Sequence, residues 1–107
     1  MELRPYHVCL LRKGPTWTAD ESPELDQLQA EHMAHKQWLR ETGAALASGP
    51  VDDDSDLRGF TIFTTATLAE ARALAEADPA VRANRLIVEL HTWWVPAGLL
   101  PDPTPQP

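Results

Sequence analysis

Two apolar runs with strand character stand near opposite ends of the chain, YHVCLL from Tyr6 to Leu11 and LIVELHTWW from Leu86 to Trp94. Both are short and rich in β-branched and aromatic residues, which marks strands rather than buried helices. Everything between them must let these end strands join one sheet. Gly14-Pro15 closes the first run. Leu25, Leu28, His32, His35 and Leu39 then recur at helical spacing, with Ser22 placed as the cap, Pro23 at the first helical position and Gly43 as a stop, so a helix is predicted over Pro23–Thr42. Ala44–Ser48 is a short strand ended by Gly49-Pro50. LRGFTIFTT, Leu57 to Thr65, sets Phe60 and Ile62 on one face and Thr61 and Phe63 on the other. Thr67 and Glu70 form a capping-box pattern for a second helix, with Leu68, Ala71, Leu74 and Ala75 inward and an end at Asp78-Pro79. The order strand-helix-strand-strand-helix-strand is the ferredoxin-like α+β arrangement, an antiparallel four-stranded sheet with both helices on one face. Residues 1–95 form this domain, and 96–107, with five prolines in twelve residues, form an extended C-terminal tail.

At 107 residues the chain has room for one core. Nine basic against sixteen acidic residues give a formal charge of -7, which repels phosphate backbones and makes nucleic acid an unexpected partner. No apolar run is long enough for a membrane helix, Cys9 has no second cysteine to pair with, and the N-terminal apolar run is too short for a signal peptide; a cytoplasmic protein is expected. In the last strand Leu86, Val88 and Leu90 face one way and Ile87, Glu89, His91 and Trp93 the other. Trp93 and Trp94 fall on opposite sides, one filling the helix-side core. The side away from the helices mixes apolar rings with charge, a surface best explained by a second copy of the sheet, so a homodimer is expected.

His32 and His35 lie on the inward stripe of the first helix. Each is open to a simple reading as a core histidine bonded to backbone. Asp78 sits at the end of the second helix, where the negative pole of the helix dipole and burial would raise its pKa; alternatively it only starts the turn before Pro79. Helices side by side over one sheet bring His32 and Asp78 within reach. A carboxylate fixes the tautomer of a histidine and raises its basicity, which makes a general acid-base.

The segments LLRKGPTWT, EHMAHKQWLRETGAALASGP, LRGFTIF and EARALAEADPAVRANRLIVELHTWW, spanning Leu10 to Trp94, resemble the YciI-like (YCII-related) family of the dimeric α/β-barrel superfamily. The most specific features are His32 eleven residues before Gly43, the Gly49-Pro50 turn, and Asp78-Pro79. The resemblance implies the ferredoxin-like fold, two sheets paired in a dimer, and a His-Asp site at His32 and Asp78. It implies no single reaction, since the superfamily holds lyases, isomerases, monooxygenases and ligand binders. His35 stands outside the family pattern.

Other candidates carry competing readings. His32 and His35 could share a metal with Asp78 as a third ligand, but the sequence lacks a fuller ligand set, and no metal is expected. Cys9 reads as packing, and the Asp52–Asp56 cluster as a solvated loop rather than a calcium site. Arg12, Lys13 and Trp17 could rim a pocket for an anionic or aromatic ligand, or be ordinary surface groups. The expected function is a small enzyme of lyase or isomerase type acting on a small organic molecule. His32 is the acid-base, Asp78 its partner, and Arg12, Trp17 and His35 bind substrate. No glycine-rich nucleotide loop is present and no cofactor is expected. Two alternatives remain: a ligand-binding or sensing dimer that converts nothing, and a structural dimer whose proline-rich tail meets a partner.

Overall fold

The computed structural model describes residues 1–103; the last four residues of the proline-rich segment, 104–107, lie outside the described residues. The elements are β1 (Leu3–Lys13), α1 (Pro23–Glu41), β2 (Ala45–Pro50), β3 (Leu57–Phe63), α2 (Leu68–Glu76), α3 (Pro79–Arg82) and β4 (Leu86–Pro96). The sheet is antiparallel with strand order β2-β3-β1-β4, the ferredoxin-like arrangement. The longest strands, β1 and β4, share the largest ladder, from Leu3↔Pro96 to Lys13↔Leu86. Pro5 is tolerated in β1 because the β3 ladder ends at His7↔Phe63, leaving β1 with one neighbour there.

Residues opposed in a ladder share a face. Cys9, Leu11, Leu86, Leu90 and Phe63 therefore meet the helices, where they pack with Leu39, Ala44, Ala45, Ala71, Ala75 and Ala80. Five alanines in this cluster let the helices approach the sheet closely. Leu39 is fully buried at its centre, a burial contributing about 2 kcal/mol. The helix starts follow the sequence: the Ser22 side chain accepts from the Leu25 amide at 3.2 Å, and that of Thr67 from the Glu70 amide at 3.1 Å. Gly43, at φ +81°, turns the chain out of α1 into β2.

Three expectations need correction. The second helical stretch is two helices, since α2 stops at Glu76 with Ala77 as its cap. Pro79 forces Asp78 out of the helical region, to φ -61° and ψ 126°, and then starts α3 as its first residue. Asp78 is thus an N-cap, not a C-terminal residue. Next, Trp94 does not fill the core: it opposes Pro5 beyond the end of β3 and is more than half exposed. Finally, residues 97–103 do not trail away. The Ala97 amide donates to the Glu2 carbonyl at 2.9 Å, Tyr6 donates through its hydroxyl to the Pro101 carbonyl at 2.5 Å, and Arg4 pairs with Asp102 at 3.4 Å. The segment folds back over Tyr6, which is buried as a result. Among the described residues no helix is long and apolar enough to cross a membrane.

Candidate functional site

The site forms where α1 crosses α3 above β3. His32, halfway along α1, directs Nδ1 at Asp78 Oδ2, 2.6 Å away. The other oxygen, Oδ1, accepts from the Ala80 amide at 2.9 Å, so one carboxylate caps α3 and holds the imidazole. Asp78 is 1% exposed. Burial alone would raise its pKa, but the hydrogen bond and charge of His32, the Ala80 amide and Lys36 outweigh it and hold the carboxyl below the usual aspartate range. The sequence-based expectation of a raised pKa fails because Asp78 is an N-cap with donors around it. A carboxylate at Oδ2 can only accept, so Nδ1 carries the proton. Nε2 is then the nitrogen available for chemistry, and it has no partner among the described residues.

His32 lines a pocket of about 380 Å³. Its walls are apolar where Leu28, Met33, Val51 and Leu86 contribute, and cationic where Lys36, Arg58 and Arg85 do. Lys36, one helical turn after His32, donates from Nζ to Thr61 Oγ1 at 3.1 Å. Burial pushes its amine below the ordinary lysine range, against the opposing pull of the Asp78 carboxylate. Arg58 reaches the pocket through a register shift: Leu11 pairs with Gly59 but Arg12 with Leu57, which leaves Arg58 as the extra residue of a β-bulge.

Trp17 belongs to the same wall. Its loop is fastened to the α3–β4 turn by Gly14 N to Arg85 O at 2.8 Å, Thr16 N to Asn84 O at 3.0 Å and Thr16 Oγ1 to Ala83 O at 2.9 Å. A Cβ on Gly14 would lie 2.3 Å from the Asn84 carbonyl oxygen, so only glycine fits this crossing. The Arg85 guanidinium then stacks 4.2 Å from the Trp17 ring, with Lys13 and Arg58 at 5.6 and 5.9 Å.

Of the five residues singled out by sequence, the structure brings His32, Asp78 and Trp17 together. Arg12 is elsewhere: odd-numbered residues of β1 face the helices here, and Arg12 faces away, bound at 2.9 Å to both Glu89 and Asp56. His35 points to α2 and donates from Nε2 to the Leu74 carbonyl at 2.9 Å. The two imidazoles of α1 are thus committed to different elements. Lys36, Arg58 and Arg85 were missed. A spacing of four from His32 signals Lys36; nothing in the residue pattern signals the bulge that admits Arg58. Cys9 is fully buried, and burial pushes its thiol up to about 11, which makes it packing.

A helix-flanked antiparallel sheet with a buried carboxylate–histidine pair places the chain among ferredoxin-like α+β proteins. The chain belongs to the YCII-related domain family, whose model matches residues 6–93. A search of curated proteins finds no match. Among solved structures it is similar to the 5-chloro-2-hydroxyhydroquinone dehydrochlorinase of Burkholderia phenoliruptrix AC1100 in complex with 2,5-dihydroxybenzoquinone. The TM-score is 0.51 at 19% identity, over 81% of this chain and 92% of that one, a likeness of fold.

Proposed function

We propose that the protein is a small-molecule lyase or isomerase whose general acid-base is His32, oriented and charge-stabilised by Asp78. The observation that carries this reading is the 2.6 Å Nδ1–Oδ2 contact of a fully buried carboxylate, with the opposite ring nitrogen left for the pocket. In an elimination, Nε2 takes a proton from the substrate, the electron pair released forms the new double bond, and the leaving group departs with the electrons of its own bond. The imidazolium so formed lies against the Asp78 carboxylate, which is already ionised and needs no reorganisation. Lys36 and its hydroxyl partner Thr61 stand beside His32 to meet negative charge that develops on a substrate oxygen. The reaction as written uses only side chains and asks for no cofactor. The dehydrochlorinase named above performs an elimination on the same fold, and this favours a lyase over an isomerase.

The assembly we propose is a homodimer joined through the sheet face away from the helices, where Phe60, Ile87 and Trp93 are 36%, 46% and 44% exposed around a nearly buried Val8. A cytoplasmic location suits its lone, buried thiol. The catalytic test is chloride release from chlorinated hydroxyhydroquinones, with deuterium exchange into carbon acids as a second readout. His32→Gln is expected to lower whichever activity is found about 100-fold or more. Unaltered rates in that variant would remove His32 from the mechanism.

A further inference from the structure

Lys36, Arg58 and Arg85 line the pocket, and among the described residues no Asp or Glu does, in a chain with 16 acidic and 9 basic residues. Elsewhere Arg4 pairs with Glu2 and Asp102, Arg12 with Glu89 and Asp56, and Arg72 with Glu76, while Lys13, Arg40 and Arg82 make no ion pair among the described residues. The pocket cations are held mainly by neutral groups. Lys36 donates to the Thr61 hydroxyl and Arg85 to the Thr18 carbonyl at 3.2 Å. Arg58 spends Nη2 on the Asp53 and Ser55 carbonyls, each at 2.8 Å, and the Asp53 carboxylate at 3.6 Å is its one ion-pair partner among the described residues. Its Nε is buried with no partner among the described residues. The nearest carboxylate to Lys36 that acts on it, Asp78, is committed to His32 and the Ala80 amide.

Charges fixed in this way, and only partly compensated by acids, favour a ligand that completes them. The fixing is deliberate in the fold: a bulge turns Arg58 inward, and a glycine crossing sets Trp17 under Arg85. A volume of about 380 Å³ is near the small end of ligand pockets and suits a molecule of about one ring. We infer that the ligand of this pocket is a small organic anion with a flat apolar body, its charged oxygens held by Arg58 and Arg85 and its reacting end lying between His32 and Lys36. This rests on the pocket being the active site proposed above, and it names the substrate class: conjugated carboxylates or ionised enols, not neutral carbonyl compounds or sugars.

The test compares benzoate with benzamide, which match in size and plane and differ in charge, by chemical-shift titration of the full-length protein. Benzoate is expected to bind at least tenfold more tightly. Added NaCl should weaken benzoate and leave benzamide unchanged, a readout that needs no variant. Arg58→Gln and Arg85→Gln should each reduce the preference, whereas His32→Gln should retain it. Equal binding of the two probes, or binding of neither, overturns the inference and leaves the acid-base reading standing. A preference for benzoate together with full turnover in His32→Gln supports the anion site and removes the acid-base role.

Discussion

Two histidines three residues apart on α1 have opposite surroundings. Where α1 meets α3, His32 binds a buried carboxylate through Nδ1 and lines the pocket. Where α1 meets α2, His35 gives its Nε2 proton to a backbone carbonyl and lies against Trp38, with ring centroids 5.8 Å apart. The first arrangement leaves Nε2 without a protein partner among the described residues. The second ties two helices together and has nothing to react with. Residue type and helical face are the same, so the difference comes from the neighbouring element: the Asp78-Pro79 break delivers a side-chain carboxylate, while the intact helix α2 delivers only main chain.

The comparison is broken most severely by removing the carboxylate. Asp78→Ala loses the bond to His32, the cap on α3 and the counter-charge of Lys36, and should cost about 3 kcal/mol in urea unfolding. His35→Leu should cost about 1 kcal/mol, for one lost hydrogen bond, and leave ligand binding intact. If His35→Leu instead abolished binding, the two histidines would not differ in role as described.

A pH profile sharpens the same contrast. The Asp78 carboxyl is depressed in the folded state, so its contribution is fully present above the unfolded value of about 4 and is lost as pH falls through the lower folded value. The stability advantage of the wild type over Asp78→Asn should therefore shrink as pH falls below about 4. A matching profile for His35→Leu against wild type should show no such acid-side loss. The smallest effect concerns Lys36, whose folded pKa is lowered by burial. Its charge is a burden on folding at neutral pH that is relieved as pH rises toward the ordinary lysine value, so Lys36→Met should raise the melting temperature at pH 7 while weakening anion binding. A lower melting temperature would mean that the Thr61 bond outweighs burial.

Much of this was readable beforehand. Alternation in LRGFTIF and in LIVELHTWW assigned the two sheet faces correctly, because one buried face enforces a period of two. Ser22, Pro23 and Gly43 bounded α1 because caps act locally. His32 and Asp78 emerged from stripe and topology together. The rest depended on interactions that no local pattern carries. Arg12 was misplaced because its parity in β1 points it at Glu89, and the bulge that substitutes Arg58 exists only in the pairing of two strands. Lys36 escaped notice because lysine is normally solvated, and only the cavity shows that this one is not. The dipole argument for Asp78 failed at a single residue, where Pro79 ended one helix and began another.

The central claim is that Asp78 holds the proton of His32 on Nδ1 and leaves Nε2 to act. Its most direct test is a long-range ¹H–¹⁵N correlation spectrum of the histidine rings, recorded at a pH where they are neutral, in the wild type and in Asp78→Asn. The account predicts that wild-type His32 is protonated at Nδ1, with a strongly deshielded Nδ1 proton that is lost in Asp78→Asn, while His35 stays protonated at Nε2 in both. A wild-type His32 protonated at Nε2 would contradict it, because the nitrogen facing the pocket would then have no lone pair with which to take a proton.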